Sequence, residues 1–141
     1  MMDDVRIARE ELKKRGFNLI IVKNHQIIFK SRLSGIRGFL VAIDDLGEKM
    51  NGASVADKIV GKAVAMLCSY TKVDAVFATI MSKEAKKWLS SRSIYFEYEN
   101  LVPRILSGDQ ECPFERLVKN FSSPRKAYEE IKTLQKRLSS R

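Results

Sequence analysis

A chain of 141 residues has room for one domain with a real core and not comfortably for two. Its composition, 45% hydrophobic and 30% charged, is that of an ordinary soluble globular protein, and no apolar run reaches the ~18 residues of a membrane helix. The formal net charge of +9 is uneven: Arg116 to Arg141 holds eight basic residues against two acidic ones and so carries most of it.

The first residues, Met-Met-Asp-Asp, lead straight into charged helical sequence without the apolar core of a signal peptide. Val5, Ala8 and Leu12 recur at helical spacing over residues 3–15, and Gly16 is the expected stop. Residues 17–23 and 26–31 are β-rich runs separated by Asn24-His25 alone, which predicts a tight antiparallel hairpin. His25, the one histidine, falls at that turn, where a solvated side chain is the ordinary outcome. Residues 35–46 place Ile36, Phe39, Leu40 and Ile43 on one helical face, ended by Gly47.

Residues 52–65 read as a further helix. Ser54 is its expected cap and Asp57 the capping-box partner; Val55, Ile59, Ala63, Met66 and Leu67 form its buried side, widened by Val60 and Val64. On this reading Lys58 and Lys62 stand one turn apart. Residues 73–81 form a nearly continuous apolar run, the pattern of an interior strand covered on both faces. Ser82 can cap the next helix, which turns Ala85, Trp88 and Leu89 inward. Residues 94–98 predict another strand, extended by 100–106 past a break at Pro103, and 107–109 a loop. Cys112-Pro113-Phe114-Glu115 opens a helix anchored by Phe114, Leu117, Val118 and Phe121. Ser123-Pro124 starts a last one, with Ala127, Tyr128, Ile131, Leu134 and Leu138 as its apolar stripe.

Helices interspersed with a mixed sheet predict a three-layer α/β domain over residues 1–141, with 122–141 as a basic C-terminal helix packed on it or extending from it. Cys68 and Cys112 share no framework spacing, so a reduced, cytoplasmic protein is expected. Cys68 reads as a small core residue.

Three stretches carry a resemblance: Asp57-Lys58-Ile59-Val60-Gly61-Lys62-Ala63, Val76-Phe77-Ala78 followed by Ser82, and Cys112-Pro113-Phe114-Glu115. With the succession of hairpin, helix, strand and helix, they resemble a small prokaryotic family of unknown function with a cytidine-deaminase-like fold, over roughly residues 17 to 120. The resemblance implies a mixed sheet flanked by helices in three layers. Deaminases of this fold bind zinc through His-x-Glu and Pro-Cys-x-x-Cys elements at two helix starts. Here those starts read Ala56-Asp57-Lys58 and Ser82-Lys83-Glu84, so no zinc, and no other cofactor, is expected. Homo-oligomers are implied only by analogy with deaminase-like domains.

Asp57, Lys58 and Lys62 have two readings. One is a capped helix start with solvated lysines. The other is the vacated deaminase pocket, where free N–H groups and two ammonium groups suit a nucleotide or other phosphate-bearing ligand. Cys112 and Glu115 are likewise either a helix cap, with Glu115 reaching back to a free N–H, or part of that pocket; Cys112 is the better nucleophile of the two thiols. The ligand-binding candidates are therefore Asp57, Lys58, Lys62, Cys112 and Glu115. An enzyme of other chemistry on Asp57, Lys62 and Cys112 is a second hypothesis. A nucleic-acid or protein interaction module built on the basic tail is a third.

Overall fold

The structure, a computed structural model, describes residues 2–14 and 16–140. Helix α1 (Met2–Leu12) precedes the hairpin of β1 (Leu19–Lys23) and β2 (Gln26–Ser31). Asn24 and His25 adopt φ of 52° and 65°, the left-handed values that a two-residue turn requires. The Asp4 carboxylate of α1 clamps the turn, accepting from the backbone N–H groups of Asn24 at 3.1 Å and His25 at 2.9 Å. The His25 ring is exposed beside Asp3 and Asp4. Arg15, the expected end of the first helix, lies outside the described residues.

Helix α2 (Arg37–Leu46) and a 3-10 turn (Gly47–Met50) lead to β3 (Ser54–Val60). The crossover units then run through α3 (Lys62–Thr71), β4 (Ala75–Ser82), α4 (Lys83–Ser91) and β5 (Tyr95–Val102), which ends just before Pro103. A two-stranded hairpin of β6 (Leu106–Ser107) and β7 (Gln110–Glu111) follows, then α5 (Pro113–Val118) and α6 (Pro124–Ser139). The main sheet is ordered β2-β1-β3-β4-β5; β3, β4 and β5 are parallel and β1 is antiparallel to both its neighbours.

Each face of the sheet has its own core. Val5, Ala8 and Leu12 of α1 cover Ile20, Val22, Ala56 and Phe77. Opposite them, Val55, Val76, Ala78 and Met81 meet Phe39, Leu67, Leu89 and Ile131 from α2, α3, α4 and α6. Helix, mixed sheet and helices make three layers, the α/β arrangement expected of a cytidine-deaminase-like fold.

The strand expected to run on over 100–106 stops instead at Val102, and the short β6–β7 hairpin takes up residues 106–111; the difference that matters most lies elsewhere. Residues 54–60 are a strand, so the helix over 52–65 is corrected to β3 followed by α3, with Gly61 as its N-cap. Ser54 opens β3 rather than a helix, and Asp57 is no capping-box partner. Lys58 and Lys62 are not one turn apart, because one lies on β3 and the other opens α3. Ile59, expected in the buried face, is 47% exposed. The physical reason is position: β3 is the central strand, bonded to β1 and β4, so burial on both faces replaces the alternation that would have marked it. Val55, Ile59 and Val60 are β-branched and suit a strand, a local signal that the helical spacing outweighed.

Candidate functional site

The carboxyl end of β3 and the start of α3 bound a cavity of about 430 Å³. Open α/β sheets commonly present ligand crevices at this end of their strands. Its other walls come from the loop before α2 (Ser34, Ile36), from Ile105 and Leu106 at and just before β6, from the start of α5 and from Leu138 of α6. Those walls are mainly apolar. The polar exceptions among the expected residues are Asp57, Lys58, Cys112 and Glu115, which the fold brings to this one cavity from sequence positions more than fifty residues apart.

Asp57 is 7% exposed. Strand alternation turns it to the α3 side, like Val55. Burial pushes its carboxyl from 3.8 up to about 7, against the N–H groups of Ile59 and Lys58, which favour the charged form. The Ile59 N–H donates to Asp57 Oδ1 at 3.3 Å. Among the described residues no ion pair involves Asp57. Cys68 of α3 is fully buried nearby; burial first, and then the Asp57 charge, push its thiol well above the usual range.

Glu115 does something the sequence reading placed on the wrong helix. It does not reach back to an N–H of α5; it caps α3. Glu115 Oε1 accepts from the Lys62 N–H at 2.8 Å and Oε2 from the Ala63 N–H at 2.8 Å. Two of the donors that a helix start leaves free are thus taken by a carboxylate aligned with the helix dipole. Gly61 makes this close approach feasible, since a Cβ there would lie 2.5 Å from Glu115 Cδ and 2.7 Å from Oε2. Burial raises the Glu115 pKa, the N–H groups of Ala63 and Lys62 oppose that rise, and the Glu111 charge adds to it.

Lys62 stands apart from the other candidates. Its ammonium donates to the Lys119 carbonyl at 2.9 Å and lies 5.7 Å from the Trp88 ring centroid. It lines a second, smaller cavity of about 250 Å³, on the far side of Glu115, together with Arg104 and Lys119. Lys58 is exposed where it lines the main cavity. The two ammonium groups therefore do not converge on the start of α3. Cys112 is the N-cap residue of α5 with Pro113 at its first position, and it is half-buried.

Sequence reasoning missed Asn18, Ser34, Ile105 and Leu106 as walls. They sit in loops or at strand ends, where no periodicity marks a lining residue. Leu138 was visible only as part of an apolar stripe.

The chain matches the domain of unknown function DUF1893 (TM1506) over residues 7–134. It belongs to the DUF1893 family. A crystal structure of the DUF1893 protein TM1506 from Thermotoga maritima is 28% identical, with a TM-score of 0.84 over 94% of this chain and 90% of that one. The DUF1893 fold described above is thus shared with an experimentally determined relative. Two crystal forms of Acinetobacter baumannii RibD overlap 70% of the chain and 35% of theirs, at 19% and 20% identity and TM-scores of 0.49 and 0.48, values that say nothing about reaction. Among curated proteins none matches the chain.

Proposed function

We propose that this DUF1893 protein is a small-molecule-binding domain whose site is the cavity at the start of α3, and that its ligand is a nucleoside or nucleotide held with the ring inside. The observation that carries this reading is Asp57. A carboxyl buried in the core, in no ion pair with a described residue, costs stability, as groups kept for binding often do, and this one forms part of a cavity large enough for a heterocycle. Apolar walls suit a ring face, and carboxyl oxygens accept from ring or amino N–H groups. A phosphate on such a ligand belongs at the rim beside Lys58, because Glu115 already occupies the first amides of α3.

The side chains do not fit the zinc site of related deaminases. Helix α3 opens Gly61-Lys62-Ala63 and α4 opens Ser82-Lys83-Glu84, and neither offers a histidine or cysteine. Among the described residues no group of three or more His, Cys, Asp and Glu is arranged to hold a metal ion.

The test is a thermal-shift and calorimetric panel of nucleosides and nucleotides on the whole chain, with Asp57→Asn and Lys58→Ala alongside. At least one ligand should stabilise the wild type, lose its effect in Asp57→Asn, and lose only its phosphate-dependent part in Lys58→Ala. A broad panel without a single stabilising ligand would overturn the reading.

The basic surface of α6 favours a second reading, a polyanion-binding face. Arg125, Lys126, Lys132, Lys136 and Arg137 are all exposed on a helix whose opposite side is anchored in the core. Nucleic-acid binding that weakens steeply with salt and with charge reversal at Lys132 and Lys136 would support it.

A further inference from the structure

We propose that the inner end of the main cavity takes an amidine-type group, an N–C–N unit bearing N–H donors, which docks against the carboxyls of Asp57 and Glu115 and displaces a proton as it binds. The inference rests on the reading of this cavity as a ligand site and specifies the chemistry of the buried end of the ligand. An amidinium, a guanidinium and an amino-substituted nitrogen heterocycle protonated at its ring nitrogen all present such a unit.

Three observations point this way. First, the acceptors are there and, among the described residues, no basic side chain forms an ion pair with either carboxyl. Asp57 Oδ1 meets only a 3.3 Å contact from the Ile59 N–H, and each Glu115 oxygen receives one N–H where a carboxylate oxygen has room for two. Lys62 is turned away to the Lys119 carbonyl, Lys58 is exposed, and the Asn18 amide donates to the carbonyls of Arg32 and Leu33. Second, Gly61 allows Glu115 to lie across the helix start four residues beyond Asp57, which brings both carboxyls to one cavity. Third, the apolar walls suit a flat group, and a planar N–C–N unit pairs with a carboxylate through two parallel hydrogen bonds. An anionic end would instead meet two carboxyls and an α3 start whose first amides are occupied.

The proton follows from Asp57, whose carboxyl is held protonated up to about pH 7. Lys58 on β3 lines the cavity beside the pair, and the thiols of Cys68 and Cys112 lie nearby; Glu111 on β7 and, through space from its place at the Lys119 carbonyl, the Lys62 ammonium act on Glu115 alone. An amidinium stays charged throughout this range and pairs with ionised carboxylate. Below about pH 7 its binding must therefore expel the Asp57 proton, and affinity should rise up to about tenfold per pH unit until Asp57 ionises by itself.

Calorimetry on the whole chain with benzamidine, its neutral counterpart benzamide and the anion benzoate, from about pH 5.5 to 8.5, tests this directly. Benzamidine should bind at least about tenfold more tightly at the upper pH, benzamide should show little trend, and benzoate should bind most weakly. Asp57→Asn should flatten the benzamidine trend; Glu115→Gln gives a second variant should the first not fold, and should lower benzamidine affinity while leaving benzamide less affected. A pH-independent benzamidine affinity, or benzoate binding more tightly than benzamidine, overturns the amidine assignment and leaves the cavity reading standing if benzamide or a nucleotide still shifts the NMR methyl signals of Ile59 and Val64. No ligand perturbing those methyls overturns both.

Discussion

Asp57 sets the pH behaviour of the folded chain. Its folded carboxyl titrates near 7 and its ordinary value is 3.8, so between those limits the folded state holds a proton that the unfolded state has released. This contribution to stability falls as pH rises through that window, and the penalty is complete above about 7; the gap corresponds to about 4 kcal/mol at most. Asp57→Asn should accordingly raise the melting temperature far more at pH 8.5 than at pH 4. Equal shifts at both pH values would refute the assignment of burial as the cause. Gly61 and Glu115 are coupled by contact, so Gly61→Ala should cost about 1–3 kcal/mol in the wild type and much less in a Glu115→Ala background. Denaturant titration of the four proteins of that cycle measures the difference. The two thiols should separate as well: Cys112 should alkylate in the native protein, whereas Cys68, buried with its thiol held protonated, should react only on unfolding.

At the level of elements, the starts of α4 and α6 and the last helix itself were the most legible features. Ser82 Oγ accepts from the Ala85 N–H at 3.1 Å, as its sequence position predicts, and Ser123 Oγ from the Lys126 N–H at 3.1 Å at the helix start expected of Ser123-Pro124. Local capping chemistry is written within a few residues and needs no partner elsewhere. The basic C-terminal segment is a structural part of the domain: Ala127 and Ile131 are fully buried and Tyr128 stacks on Tyr70 with ring centroids 4.5 Å apart. Ile131→Ala should cost about 2–5 kcal/mol in urea or thermal unfolding. Removing residues 122–141 should leave α3 uncovered and lower stability rather than simply strip a charged arm; a truncated chain as stable as the whole one would contradict this. The misread element, β3, shows the limit of periodicity. Its apolar residues fit a helical stripe on paper, and only the strands on either side make an extended conformation the better one.

At the scale of the whole molecule, charge and site occupy different places. Five basic side chains stand exposed along α6, while the cavity interior is apolar with two carboxyls. Small-ligand binding in the cavity should therefore depend on pH more than on salt, and any polyanion binding on salt more than on pH; titrations of each against both variables would separate the two surfaces. The sequence by itself determined the secondary elements at the ends of the chain, the hairpin turn, the interior strand β4 and the Ser82 cap, because these follow from local backbone preference and from which side chains avoid water. The tertiary structure alone decided that residues 54–60 are the central strand, that Glu115 caps α3 and not its own helix, and that Lys62 faces away from Asp57. Each of those outcomes depends on contacts between segments far apart in the chain, whose free energies exceed the local preferences that sequence patterns record.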